Sequence, residues 1–191
     1  MDGGSSPPIS TKWIKKLFLS DAGYFLHITK RRTVQYFAYK LETMLKIGDR
    51  MPDFEVKDQD GKVVNSKNLL GKKTIIYFYP KDNTSGCTAE ACNLRDNYDT
   101  LMALGYNVVG VSKDSSTSHK KFAGKYALPF TLLADTSTRM LQDFGAWGEK
   151  KMYGRPYMGT LRMTFIFDED GILTKIIEKV DTKNHAEQIL K

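Results

Sequence analysis

Cysteine is scarce in this chain: 191 residues hold two, Cys87 and Cys92, with no CxxC pairing and no histidine beside either. That scarcity excludes a secreted disulfide scaffold and gives a zinc site no support, and it fits a redox-active pair in a reducing, cytoplasmic compartment. Long apolar runs are missing as well. No stretch reaches the roughly eighteen apolar residues that would suggest a membrane span, so a soluble protein is expected. Glycine-rich phosphate loops, internal repeats and low-complexity tracts are absent. Gly145, Gly148 and Gly154 neither carry the spacing of a dinucleotide fingerprint nor follow a buried strand. Neither an organic cofactor nor a metal is expected.

Charge of one sign is not concentrated where a partner surface would need it. The formal net charge of +7 divides at Met44: residues 1–43 hold seven Lys/Arg and three Asp/Glu, while residues 44–191 hold 22 and 19. The second part is only mildly basic, which argues against nucleic-acid binding. The first eight residues, MDGGSSPP, read as disordered or as a tag. Residues 11–42 mix Trp13, Phe18, Tyr24 and Phe25 with the basic run Lys30-Arg31-Arg32. Three readings compete there: a basic targeting or membrane-surface segment, a helix docked on the domain, or upstream sequence translated from a misassigned start. The last is favoured, because Met44-Leu45-Lys46-Ile47-Gly48-Asp49 reads as a natural beginning. Residues 1–43 are therefore expected to stand outside one domain formed by residues 44–191. A domain of about 150 residues buries roughly 70% of the surface its unfolded chain exposes, so it needs no disulfide.

What is present after Met44 alternates regularly. Residues 54–56 and 63–64 flank Asp60-Gly61 as a short hairpin. The run Thr74-Ile75-Ile76-Tyr77-Phe78-Tyr79 is β-branched and aromatic throughout, as expected of a central strand buried on both faces. Helical spacing over 88–104 and a second apolar run over 107–112 complete a strand, helix, strand unit with parallel pairing and a right-handed crossover. A helix over 116–126, a strand over 130–133 and a short helix over 137–144 follow. Residues 161–168 and 172–179 flank Glu169-Asp170-Gly171 as a hairpin, and a helix over 183–190 closes the chain. Parallel units first and an antiparallel hairpin last predict an α/β protein with a mixed central sheet flanked by helices, the order of a thioredoxin-like fold.

Cys87 falls where the first long strand gives way to a helix, beyond the carboxyl ends of the parallel strands. A helix N-terminus offers unpaired N–H groups and partial positive charge, which favour a thiolate over a thiol. The alternative is an ordinary small buried residue, but the helix-start position and the second cysteine favour reactivity. On one continuous helix the α-carbons of Cys87 and Cys92 would stand about 8.6 Å apart, beyond the limit of about 7 Å for a disulfide. The pair can bond only if the helix start unwinds. Cys92 read alone is equally a core residue on the helix face. No histidine is placed to act as a base: His27 lies in the extension, and His119 and His185 are expected on the surface, so a Cys-His hydrolase mechanism is disfavoured. Activation falls to the helix terminus, to a hydroxyl such as Thr84, which could equally be an N-cap, or to an arginine brought in by the fold.

The run Pro80, Thr84 and Cys87, at the spacing PxxxTxxC, resembles the active-site pattern of the peroxiredoxins. A second cysteine five residues on, the run 145–154 and the run Gly159-Thr160-Leu161-Arg162-Met163-Thr164-Phe165 resemble the bacterioferritin comigratory protein group, also called peroxiredoxin Q. The likeness spans residues 44–191. It implies a thiol peroxidase acting on hydrogen peroxide and organic hydroperoxides, with Cys87 as peroxidatic cysteine, Thr84 and Arg162 as its activating partners, Pro80 as shield of the pocket and Cys92 as resolving cysteine. It also implies an intrachain disulfide recycled by thioredoxin or a similar dithiol. Met163 stands where many relatives have a small hydroxyl residue. Without the resemblance, Arg162 reads as a solvated strand charge, and Glu90 as a first-turn carboxylate complementing the helix dipole. A thioredoxin-fold disulfide exchanger or redox sensor and a non-enzymatic basic scaffold are the rivals. The exchanger would want closer cysteines, and the scaffold predicts unreactive thiols. A monomer is expected, since an intrachain pair needs no second subunit.

Overall fold

Strands that are apolar on both faces must be covered on both faces, and the computed structural model, which describes residues 45–152 and 154–191, builds that arrangement. The expectations for residues 1–43 lie outside the described residues. The short hairpin pairs β1 (Glu55–Lys57) with β2 (Val63–Asn65), and a capped 3₁₀ turn over Ser66–Leu69 leads out of it. The main sheet contains β3 (Lys73–Phe78), β4 (Tyr106–Ser112), β5 (Thr131–Ala134), β8 (Met163–Phe167) and β9 (Leu173–Ile177), in the order β5-β4-β3-β8-β9. β3 runs parallel to β4 and antiparallel to β8, so it is the central strand at the junction of the two halves.

Side chains alternate across β3 and define two cores. Ile75, Tyr77 and Tyr79 point into one, with Leu94, Leu101, Phe122 and Ile189 from the helices α1 (Ser85–Asp96), α2 (Tyr98–Ala103), α3 (Ser116–Tyr126) and α5 (His185–Leu190). Ile76 and Phe78 point into the other, with Met140 and Leu141 of α4 (Arg139–Asp143), and with Phe144, Phe165 and Phe167. Gly110 lies opposite Tyr77 in the β3–β4 register, and a Cβ there would stand 2.7 Å from the Tyr77 ring and from Leu132 Cδ2. Only glycine lets the tyrosine lie across β4.

Three sequence expectations need correction. The helix expected over 88–104 begins three residues earlier and breaks at Asn97, and Leu104, expected on its buried side, is 51% exposed. His119 and His185, expected on the surface, are both fully buried. Residues 147–160, to which no element was assigned from the sequence, form a further hairpin, β6 (Trp147–Met152) with β7 (Arg155–Thr160).

Candidate active site

β3 delivers the chain to the site and stops there. Tyr79 N donates to Val111 O, continuing the strand's pairing, and half-buried Pro80 follows with no N–H to extend it. Asn83 takes a left-handed backbone (φ 58°), a conformation that asparagine tolerates, and turns the chain into α1. Thr84 occupies the N-cap backbone position, but its hydroxyl makes no cap bond and donates instead to Lys81 O at 3.2 Å. The first helical bond runs from Thr88 N to Thr84 O, so the N–H groups of Ser85, Gly86 and Cys87 stand ahead of it at the positive end of the helix. Cys87 is in this first turn, 1% exposed.

A buried network pins the loop that makes the turn. Asp82 accepts from Tyr79 Oη at 2.7 Å and from Ser118 Oγ at 2.6 Å, and its carboxylate lies 2.9 Å from His119 Nδ1. His119 Nε2 faces Leu133 O at 3.1 Å. Burial pushes the Asp82 carboxyl up, but hydrogen bonds from His119, Ser118 and Tyr79 outweigh it and hold the group below its ordinary 3.8. Burial and then the nearby Asp82 and Cys87 raise the Tyr77 phenol well above 10.0, so it stays protonated against the thiol side of the core.

Arg162 arrives from the other half of the sheet, in the two-residue link between β7 and β8. Its Nη2 donates to Cys87 Sγ at 3.2 Å, and its Nη1 to Glu90 Oε2. The expectation of a solvated charge is thus overturned: the Arg162 side chain is 21% exposed and Glu90, one turn beyond Cys87, is fully buried. Behind Glu90 stands His185 of α5, whose Nδ1 is 3.3 Å from Glu90 Oε1 and whose Nε2 bonds to Thr164 Oγ1 at 2.9 Å. Burial, and then the Arg162 charge, depress the His185 pKa to about 4.

Cys92 lies later in α1, half-buried, and both cysteines are free thiols. It is not a member of the core against which Cys87 packs. Of the five residues predicted from sequence, the structure joins Cys87 and Arg162 directly and sets Pro80 and Thr84 in the approach to α1. Sequence reasoning missed Glu90 as the arginine's partner, and His119 and His185 as buried groups. Among the described residues no group of three or more His, Cys, Asp or Glu converges as metal ligands would, and no helix is long and apolar enough to cross a membrane. A cleft of about 590 Å³ beside the β1–β2 hairpin, lined by Asp53, Glu55, Lys67, Asp135, Arg139 and Asp143, contains none of the thiol-site residues.

A mixed sheet with helices on both faces, carrying a thiol in a first helical turn under an arginine, defines a thioredoxin-fold thiol peroxidase. The AhpC/TSA family model matches residues 47–176. Peroxiredoxin Bcp of Escherichia coli K12 is 42% identical over 146 residues, covering 76% of this chain and 94% of that protein. Peroxiredoxin Bcp of Bacillus subtilis is 42% identical over 147 residues, covering 77% and 94%. The solved bacterioferritin comigratory protein of Xanthomonas campestris superposes with a TM-score of 0.68 at 31% identity, over 72% of this chain and 87% of that one. The chain belongs to the AhpC/TSA family, in its peroxiredoxin Bcp/Q group, and is a thiol-dependent peroxidase.

Proposed function

We propose that Cys87 is the peroxidatic cysteine and Cys92 the resolving cysteine of a cycle contained within residues 44–191. The observation that carries this reading is Arg162 Nη2 on Cys87 Sγ at 3.2 Å, in the first turn of α1. A guanidinium and free helix-terminal N–H groups favour the thiolate, and the same donors are aimed where negative charge develops on the peroxide oxygens. The Cys87 thiolate attacks one oxygen in line with the O–O bond. That bond breaks, the leaving oxygen departs with a proton as water or alcohol, and Cys87 becomes a sulfenic acid. In this reading Thr84 rotates its hydroxyl from Lys81 O toward the bound peroxide, and Pro80 shields the sulfur from bulk water.

The second half-reaction needs motion. Both cysteines lie in α1, whose regular geometry holds them too far apart to bond. Once the first turns unwind, the Cys92 thiol condenses with the sulfenic acid, releasing water and leaving a disulfide. An external dithiol, thioredoxin by family likeness, reduces it by exchange. A monomer in a reducing, cytoplasmic compartment is part of this reading, because the pair lies within one chain and the resting enzyme must hold both thiols reduced.

One equivalent of hydrogen peroxide, added to reduced protein and to Cys87→Ser and Cys92→Ser variants with thiol counting and intact mass, tests the cycle. Wild type should lose both thiols rapidly with a two-hydrogen fall in mass. Cys87→Ser should consume no peroxide, and Cys92→Ser should stop at the sulfenic acid. Thiol loss no faster than that of free cysteine would sink the assignment.

A further inference from the structure

Two buried polar atoms at the thiol site stand without a hydrogen-bond partner and face each other: Glu90 Oε1 and His185 Nδ1, 3.3 Å apart. Glu90's other oxygen receives Arg162, and the ring's other nitrogen meets Thr164 Oγ1. His185 is neutral near pH 7, since burial and the Arg162 charge hold its pKa at about 4. A neutral imidazole carries one N–H, and a carboxylate can only accept. The pairing that satisfies every group puts the proton on Nδ1, aimed at Glu90, and leaves Nε2 to accept from the Thr164 hydroxyl. Orphaned buried polar atoms are costly, and since the two already lie within hydrogen-bonding distance, a small reorientation of the ring would partner both.

We infer that His185 is a positioning residue for the peroxidase thiol: it anchors one oxygen of Glu90, whose other oxygen holds Arg162 on Cys87. The line of contacts runs from Thr164 on β8 through His185 on α5 and Glu90 on α1 to Arg162 and the sulfur. An Arg162 free to swing could settle on Glu90 alone. With Glu90 pinned from behind, the guanidinium has one placement in which both of its partners are met. Through this line α5 sets the reactivity of a residue in α1. This inference rests on Cys87 being the thiol that Arg162 activates.

The ring geometry supplies the test. Asparagine places its amide nitrogen where Nδ1 stands, and glutamine where Nε2 stands. In a Cys92→Ser background, so that Cys87 alone reacts, His185→Ala, His185→Gln and His185→Asn are compared with the parent for alkylation by iodoacetamide and for reaction with hydrogen peroxide. His185→Ala and His185→Gln should lose about tenfold in both rates, and His185→Asn should stay within about twofold. Unchanged rates in all three, or equal losses in the Asn and Gln variants, would overturn the inference, the latter by reducing His185 to a packing residue. Alkylation that follows the His185 series while peroxide reacts slowly throughout would instead uphold the relay and remove the peroxide role of Cys87.

Discussion

Arg162 makes two bonds in different directions, and that explains why the position needs a planar fork rather than a charge. A lysine ammonium could reach the thiolate or Glu90 but not hold both in one plane. Arg162→Lys should therefore retain the fold and lose at least about tenfold in peroxide rate, and Arg162→Ala about 10²-fold or more, in line with removal of a preorganised donor; a lysine variant at full rate would mean that only net charge matters. His185 gives a second expectation at this scale. In the unfolded chain it takes up a proton near 6.5, whereas in the buried site it does so only at about 4. Between those values the unfolded state binds more protons, so stability rises with pH and is lost as pH falls from about 6.5 to 4, by about 3 kcal/mol at most. Urea midpoints at pH 7, 5.5 and 4.5 should show that slope in wild type and a flatter one in His185→Asn. Cys87 and Thr84 were candidates from the sequence because they stand at a strand-to-helix transition, while Pro80 and the resolving role of Cys92 entered only with the family pattern. Arg162 became a site residue only through family likeness. Glu90, His119 and His185 stayed hidden: each is a polar residue in a helix, His119 beside a lysine, and nothing local says that the packed fold takes them to zero exposure.

At the scale of elements, α1 has two halves with different attachments. Its first turns, carrying Cys87 and Glu90, are held by Arg162 and, in the proposed cycle, must let go for the disulfide to form. Its second half is fastened to the start of α5 by Asn93, whose Oδ1 accepts from Ala186 N at 2.8 Å and whose Nδ2 donates to Lys183 O at 2.8 Å. Unwinding should therefore stop at Asn93. Because each helical amide bonds to the carbonyl four residues back, hydrogen exchange should show amides 88–96 losing protection on oxidation while Asn97, whose N–H bonds to Asn93 O, keeps its own, and Asn93→Ala should extend the loss to Asn97. Loss of protection at Asn97 as well in wild type would show that Asn93 sets no boundary. The core strands and α3 were readable from periodicity because they bury apolar faces. The β6–β7 ribbon was not: Glu149 and Lys151 of β6 and residues 155–158 of β7 are exposed, so no apolar alternation marks it, and Pro156 argues against a strand. The break at Asn97 was missed because leucines continue past it at helical spacing, though Leu104 stays half exposed.

For the whole molecule, the groups of the proposed cycle come from residues between Tyr77 and His185, and the described members of both cores from between Met51 and Ile189. We propose on that ground that a chain beginning at Met44 is the complete peroxidase. Removing residues 1–43 should leave the single-turnover peroxide rate within about twofold and the thermal midpoint within a few degrees, which is the shift expected of a change of about 1 kcal/mol or less in a domain this size. The same truncation removes the more basic part of the chain, seven Lys/Arg against three Asp/Glu. Retention on a phosphate polyanion at low salt should fall with it, since such retention follows net basic charge and is screened by salt. Sedimentation of both forms as monomers while active would agree with an intrachain cycle. A truncated chain that unfolds early or reacts slowly would show that the segment docks on the domain, reviving the second of the three readings of residues 11–42. Polyanion binding that survives truncation would place a basic surface on the domain itself, where 22 Lys/Arg stand against 19 Asp/Glu.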